Sequence, residues 1–411
     1  MSAVLVPCPP PPPLAAPAPD RPHYALSVNV APSLRTVTGV VDVRFRPNRS
    51  TDKLVFRLWP NAPRARDEGA RLDVGPVRGL RTARPDPTTL VVRFGRDIGR
   101  RTVHVRVPWR LRVPAAAFDR VSRVDGGLVL GSFFPILAWD ARRGWVTDPP
   151  AEILAESSTS PVADFDVRVR APKGLSALVS EGKSVRDVAV AVGRYRVATA
   201  VVRAPRPVRV RVAVARSGRG NPRAVLALAT SALVRLSRLY GAYPWQHYTV
   251  VVPTSFGAGG IEYPTLTFVG VSDLLRVVVD HETAHQWFYS LVGNDQAGDP
   301  WLDETLATWA QQRLDGRRRP PPRQLPRGAR RHVGSPMSYW TPFPRAYFWG
   351  VYNEGAAALS SLGDSDAVDC ALRHYVARRA YSIAQPGDLL DELNRFIPGA
   401  ERRLRAWGIH R

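Results

Sequence analysis

The hydrophobic periodicity of the sequence changes near residue 215, and this change limits the fold more than any other feature. Before that point apolar side chains recur at every second position, as in Val103–Val113, where every odd residue is apolar. Such alternation is typical of half-buried β-strands. Pro108 interrupts this segment and cannot donate to a ladder, which predicts an edge strand. Similar alternation occurs at 24–30, 41–45, 165–169, 188–192 and 208–214.

These segments predict an all-β domain over residues 23–216 and a second, mainly helical domain over residues 217–411. In the second half, apolar residues recur at helical spacing over 222–240, and Gly241 suits the C-terminal cap of that helix. A strand at Tyr248–Val252 and a glycine-rich turn follow. The remainder is predicted to be helical apart from an Arg- and Pro-rich loop at 316–331. The predicted fold class is therefore α+β.

Residues 1–22 are rich in Pro and Ala, and we expect a leader or linker that cannot fold by itself. The stretch ending at Cys8 resembles the end of a bacterial lipoprotein signal, although a basic n-region and a long apolar h-region are missing. Either the true start lies upstream and Cys8 bears a lipid anchor, or the leader is simply disordered. The first alternative predicts an exported or cell-surface bacterial protein, and the second leaves a cytoplasmic location open.

The two cysteines, Cys8 and Cys370, are too few for a disulfide framework, and we expect Cys370 to be a small core residue of a helix. The net charge is +23, and all but three of the 58 basic residues are arginine. The codons of a GC-rich genome explain this bias on a solvated surface; the alternative is a polyanion-binding surface centred on 317–331. No nucleic-acid-binding motif and no long apolar run are present, so neither a specific nucleic-acid partner nor a membrane span is predicted.

The strongest chemical signal is the segment His281-Glu282-Thr283-Ala284-His285, within a predicted helix that runs from about Leu274 to Leu291. Histidines at i and i+4 share one helix face, so both imidazoles can reach one zinc ion. Glu282 projects beside that face, where it can accept a proton from the attacking water. A pair of ordinary packed histidines is the structural alternative.

A catalytic zinc site requires a third protein ligand, and Glu304 is the candidate. Asp299 and Pro300 predict the N-cap and first turn of a second helix that contains Trp301-Leu302-Asp303-Glu304. Glu304 follows His285 by 19 positions, which leaves room for a loop and a return against the first helix. The sequence therefore predicts one Zn²⁺ per chain, held by His281, His285 and Glu304.

These motifs resemble the aminopeptidase N family of zinc peptidases, which also includes leukotriene hydrolase. The family has the same 18-residue gap before its third ligand, and it has Asn where this chain has Asp303. Gly259-Gly260-Ile261-Glu262 is similar to the family's Gly-x-Met-Glu motif. The resemblance implies that Glu262 binds the α-ammonium group of a peptide substrate and that Gly259 and Gly260 lie along the peptide.

A third match is Val351-Tyr352-Asn353-Glu354-Gly355, in which Glu354 replaces the family's lysine. The resemblance implies that Tyr352 stabilises the oxyanion of the reaction; a core aromatic is the alternative. It also implies a saddle-like β domain followed by a thermolysin-like catalytic domain, without the family's large helical C-terminal domain. An aminopeptidase is the predicted function. The alternatives are a thermolysin-like endopeptidase and a polyanion-binding protein with a structural zinc site.

Overall fold

A computed structural model describes residues 8–411, apart from 116–119, 125, 153–158, 255, 258 and 317–324. Strands dominate the chain up to residue 215 and helices dominate it from residue 222 onwards, which confirms the α+β class. The strands of the first half are β1 (His23–Val30), β2 (Thr36–Phe45), β3 (Lys53–Arg57), β4 (Arg71–Val74), β5 (Arg81–Ala83), β6 (Thr89–Arg93), β7 (Val103–Arg112), β8 (Val121–Val124), β9 (Gly127–Gly131), β10 (Ile136–Leu137), β11 (Trp139–Asp140), β12 (Gly144–Trp145), β13 (Asp164–Arg170), β14 (Ser176–Val179), β15 (Ala189–Gly193), β16 (Tyr195–Arg203) and β17 (Pro207–Ala215).

The largest sheet of the first half has the strand order β13-β1-β2-β7-β4. Its alternating side chains bury one face, as the period of two predicts. The strand β7 pairs with β2 along its whole length but with β4 only at Trp109–Arg112. The prediction of an edge strand is therefore correct for the six residues Val103–Pro108 and wrong for the last four. At Pro108 the strand therefore has a single neighbour, which is where a missing N–H group costs least.

A second five-stranded sheet joins the two halves of the chain. It combines β16 and β17 with β18 (His247–Val252), β19 (Gly260–Ile261) and β20 (Leu266–Val269), in the order β16-β17-β18-β20-β19. The strand β17 runs parallel to β18 across six residue pairs. The predicted domain boundary at residue 216 therefore cuts through a continuous sheet. Alternation identified the strands correctly, but it does not reveal which sheet a strand joins. The other strands of this half are β21 (Gly293–Asn294) and β22 (Ile383–Ala384).

The helices are α1 (Pro63–Asp67), α2 (Pro222–Tyr240), α3 (Leu275–Ala284), α4 (Trp301–Asp315), α5 (Met337–Trp340), α6 (Pro344–Tyr347), α7 (Gly355–Ser360), α8 (Ser365–Arg379), α9 (Pro386–Phe396) and α10 (Ala400–Leu404). Of these, α2 and α3 pack against the second sheet, and the metal-binding motif begins in α3. Short 3-10 turns lie at Trp59–Asn61 and Arg405–Trp407, and a π-helix spans Phe348–Glu354. In the described part of the chain, no helix is both long and apolar enough to cross a membrane.

Helix α2 has the predicted bounds, and its N-cap Asn221 accepts a hydrogen bond from the Arg223 N–H group. Helix α3 is shorter than predicted, because the chain leaves the helix at His285. Beyond it, the Ser290 N–H group donates to the His285 carbonyl in a compact turn. The apolar run that follows is buried on all sides, and such a run does not distinguish a helix from a buried turn. Helix α4 begins as predicted within one residue, but Asp299 makes no side-chain cap there.

The leader is ordered where the structure describes it, contrary to the prediction. Cys8 forms a disulfide with Cys370 of α8, with a Cα–Cα distance of 5.6 Å. The Ala15 N–H group donates to the Ala377 carbonyl, and Leu14 packs against the main core. The chain then continues into β1. Tertiary contacts with α8 therefore hold a segment that has no core of its own, and the disulfide uses the sulfur atom that the predicted lipid anchor would need.

Candidate metal centre and substrate cleft

Three side chains from two packed helices converge at one point, as the sequence predicted. His281 lies in the last turn of α3, His285 caps that helix, and Glu304 lies in the first turn of α4. The Nε2 atom of His281 is 3.0 Å from Oε2 of Glu304 and 3.1 Å from Nε2 of His285. His285 Nε2 is 3.5 Å from the same carboxylate oxygen. These ligand atoms all lie within 4.8 Å of one another.

The orientation of His285 is fixed from behind by Asp303. The Oδ1 atom of Asp303 is 2.6 Å from His285 Nδ1, and the Phe288 carbonyl is 3.1 Å from the same nitrogen. The other Asp303 oxygen accepts a hydrogen bond from Gln296. Both Asp303 and His285 are fully buried. A carboxylate at Nδ1 directs Nε2 towards the centre, and such partners orient metal-binding histidines.

The donor set fits a zinc ion. Two imidazole nitrogens and one carboxylate form the three-ligand arrangement of catalytic zinc sites, which leaves a further coordination position open. Magnesium and calcium prefer oxygen ligands throughout, so this set does not suit them. Oε2 of Glu282 is buried beside the ligands without a hydrogen-bond partner among the described residues. A buried carboxylate oxygen of this kind requires a charged or polar partner.

Glu282 owes its position to a glycine. A Cβ atom built on Gly260 would lie 2.4 Å from Cγ and 2.5 Å from Oε1 of Glu282. The missing side chain therefore makes room for the carboxylate, whereas the resemblance had placed this glycine along the peptide. Gly259 precedes it at the same edge of the cleft. Burial raises the pKa of Glu282 well above its ordinary value, which favours a group that accepts a proton during a reaction.

The pKa of His285 and the pKa of Glu304 shift in opposite directions. Burial acts to lower the pKa of His285, but the neighbouring Asp303 and Glu304 carboxylates raise it well above its ordinary value. Burial acts to raise the pKa of Glu304, but His285 and His281 hold it well below its ordinary value. Both shifts arise because the buried imidazoles and carboxylates attract one another across the site.

A cleft of about 420 Å³ opens beside the ligands and is lined by two of them, His281 and Glu304. Its apolar lining includes Ile261, Leu274, Val278 and Phe348. Glu262 lines the same cleft and is 5% exposed; that it binds an ammonium group stays a prediction of the resemblance. The cleft is large enough for an amino-acid side chain and part of a peptide, since ligand pockets are commonly of this size.

Tyr352 lines the cleft from the π-helix. Its ring stacks on the His281 imidazole, with centroids 5.6 Å apart and planes inclined by 15°. π-helical turns are rare and occur frequently at functional sites. The hydrogen bond from Thr305 Oγ1 to the Val351 carbonyl fixes this turn against α4. Glu354, which replaces the family's lysine, points away from the ligands and accepts a hydrogen bond from the Arg331 N–H group.

Sequence reasoning missed two polar residues of this site. Asp303 was noted only as a departure from the family pattern, although its place next to Glu304 could have indicated a partner for a histidine. Arg120 of the β domain lines the cleft, and its Nη1 atom is 3.6 Å from Oε1 of Glu262. Nothing in the spacing of the motifs connects residue 120 to the metal site, so only the fold reveals this contact.

Comparisons with known proteins agree with this geometry. Two histidines and one glutamate are a donor set found in catalytic zinc sites. Residues 233–327 match the model of the peptidase family M1 domain. An 84-residue segment is 44% identical to mouse aminopeptidase RNPEPL1 and 40% identical to rat aminopeptidase B. The segment that contains His281, His285 and Glu304 is therefore similar to the peptidase family M1 domain.

The sequence match is local, whereas the structural match is not. The aligned segment covers 19% of this chain but only 12% of the mouse protein and 13% of the rat protein. The fold as a whole is similar to the M1 zinc metallopeptidase of Deinococcus radiodurans, with a TM-score of 0.67 and 19% identity. That match covers 95% of this chain and 94% of the other. A mutant of that enzyme bound to a Tyr-Ser-Ala substrate matches equally well, with 20% identity.

Proposed function

We propose that this protein is a zinc-dependent aminopeptidase that releases N-terminal residues from peptides. The observation that supports this function best is the convergence of the three ligand atoms beside a cleft that is also lined by Glu262 and Glu282. His281, His285 and Glu304 would hold the zinc ion. When bound, zinc polarises the scissile carbonyl and makes a water molecule more acidic.

The buried carboxylate of Glu282 accepts a proton from the attacking water and later returns it to the leaving amine. The raised pKa of Glu282 suits this second step. A carboxyl group with a low pKa would be a weak base and would hold the proton too loosely to deliver it to the amine. The Tyr352 hydroxyl, carried on the ring that stacks against His281, donates to the oxyanion that forms on the scissile carbonyl. This bond strengthens only as charge develops on that oxygen.

Glu262 determines which peptide bond is cut. A carboxylate that is 5% exposed beside the ligands attracts the α-ammonium group of a peptide and places the first peptide bond at the centre. An endopeptidase of the thermolysin type has no free amine at this point, and a buried Glu262 would then hinder its substrate. The carboxylate therefore favours the aminopeptidase over the endopeptidase.

A comparison of amino-terminal and blocked substrates tests this choice. We expect aminoacyl-coumarin substrates to be hydrolysed and their N-acetylated forms to be poor substrates. The Glu262→Ala variant should lose kcat/KM towards the free-amine substrates and retain its zinc, because Glu262 is not a ligand in this scheme. Equal rates on free and acetylated substrates with the unmodified protein would contradict the aminopeptidase assignment and leave the zinc hydrolase intact.

A polyanion-binding protein with a structural zinc site remains the alternative from another class. Most of the segment that would form its footprint, residues 317–324, lies outside the described residues. Within the described part, the Arg331 N–H group binds Glu354 and so fixes this end of the loop to the π-helix. Zinc-dependent hydrolysis distinguishes the two functions, since a structural site binds metal without turnover.

An exported or cell-surface location is part of the proposal. The disulfide between Cys8 and Cys370 supports it, because disulfides persist in oxidising compartments and are rare in the cytosol. A lipid at Cys8 would require the same sulfur atom, so the disulfide favours export without a Cys8 anchor. Thiol labelling of the protein taken directly from cells tests this: two free thiols would indicate a reducing compartment.

A further inference from the structure

Among its described residues, the β domain contributes one charged side chain to the cleft, and this side chain is a cation. Arg120 lies just before β8, and its guanidinium Nη1 atom is 3.6 Å from Oε1 of Glu262. The two side chains are only 16% and 7% exposed, and both line the cleft. Among the described lining residues, Arg120 is the only arginine or lysine.

Arg120 and Glu262 together determine which charges surround the N-terminal residue of a bound peptide. The α-ammonium group of a substrate that binds Glu262 must lie within a few ångströms of the Arg120 guanidinium, which repels it. A carboxylate on the side chain of the same residue removes that repulsion. Each positive charge then lies between two negative charges, in the order Glu262, the α-ammonium group of the substrate, its side-chain carboxylate and Arg120.

We infer that Arg120 and Glu262 together form a subsite for an acidic N-terminal residue, so that the substrates of this enzyme are peptides that begin with Glu or Asp. The inference rests on the proposed aminopeptidase function. A guanidinium has five N–H donors in a planar fork that matches a carboxylate, so Arg120 can bind a substrate while it stays near Glu262. The same charge disfavours Lys or Arg at the N-terminus.

The test must distinguish substrate recognition by Arg120 from a purely structural role of this residue. Burial raises the pKa of Asp187 to about 6, and the positive charge of Arg120 partly opposes this rise. An arginine that serves only as the counter-ion of Asp187 and Glu262 would support the site without distinguishing among substrates. Its removal would then lower the activity on every substrate by the same factor.

The experiment compares two pairs of isosteric substrates. For the unmodified protein with zinc bound, we expect kcat/KM for glutamyl-coumarin to exceed that for glutaminyl-coumarin by at least about tenfold, since one hydrogen bond to a charged group accounts for such a ratio. The aspartyl and asparaginyl pair should behave in the same way. In Arg120→Met this ratio should fall to about one, and Arg120→Lys should keep part of it because the charge remains while the fork is lost.

The ratio is an internal measure, so a general loss of activity in a variant does not affect it. Arg71→Met is the matched control, because Arg71 lies in the same β domain and its side chain is 72% exposed outside the cleft. Its ratio should equal that of the unmodified protein. If Arg120→Met does not fold, the ratio of the unmodified protein and that of Arg120→Lys still decide the matter.

A binding measurement that needs no turnover completes the test. Titration calorimetry with the free amino acids should show tighter binding of L-glutamate than of L-glutamine, the two products. Equal kcat/KM for the acidic and amide substrates would overturn the subsite and leave the aminopeptidase function intact. Hydrolysis of none of the free-amine substrates would overturn the proposed function, and the subsite with it.

Discussion

Replacement of Gly260 by alanine should separate the positioning of Glu282 from zinc binding. The new Cβ would lie 2.4 to 2.5 Å from three atoms of the Glu282 side chain, whereas ordinary carbon contacts begin near 3.4 Å. The carboxylate must therefore move by about 1 Å, and displacements of this size in an active site cost about a hundredfold in rate. We expect kcat to fall by about that factor.

The zinc content of Gly260→Ala should not change, because Gly260 contacts none of the three ligands among its closest neighbours. Gly387→Ala is the matched control: a Cβ atom there would make only an ordinary contact, 3.5 Å from Arg411. The assay measures kcat on an aminoacyl-coumarin, zinc by mass spectrometry and the thermal midpoint for all three proteins. A Gly260→Ala protein with normal kcat and an unchanged midpoint would refute the inferred role of this glycine.

Three further predictions follow from particular contacts. Asp303→Asn keeps the shape of the side chain but removes the carboxylate from His285 Nδ1, so zinc affinity should fall by about 10- to 100-fold in a competition titration with a chelator; unchanged affinity would contradict the orienting role. Tyr352→Phe should lower kcat far more than it raises KM, because about 3 kcal/mol of transition-state stabilisation is lost. A near-normal kcat would show that Tyr352 is only a packed aromatic residue. Reduction of the Cys8–Cys370 disulfide, which spans 362 residues, should lower the free energy of unfolding by about 2 to 5 kcal/mol, with Cys8→Ser as the reductant-insensitive control; identical melting curves with and without reductant would show that the disulfide contributes no stability.

The metal ligands could be predicted from the sequence because their geometry is local. His281 and His285 lie one helical turn apart, so their spacing alone places them on one face. Glu304 required only that a second helix return against the first. The period of two likewise identified the strands, since it depends on each strand's own buried face.

The rest of the site depends on contacts between distant segments. Arg120 reaches Glu262 from a different half of the chain, and no periodicity links the two residues. The leader was predicted to be unfolded because its composition allows no core. In the structure it is held against α8, through a disulfide between residues 362 positions apart. The end of α3 at residue 284 escaped prediction for a related reason: the side chain of Gln286 binds the backbone of Tyr263 and Thr265, and the chain turns to reach them.

The central claim is that His281, His285 and Glu304 hold a zinc ion while Glu282 transfers the proton. Zinc content and turnover, measured together on the same preparations, test it most directly. We predict about one zinc per chain in the unmodified protein and in Glu282→Gln, with turnover two to four orders of magnitude lower in the variant. We predict loss of both zinc and turnover in His285→Ala. Full zinc occupancy in His285→Ala, or loss of zinc from Glu282→Gln, would contradict the account.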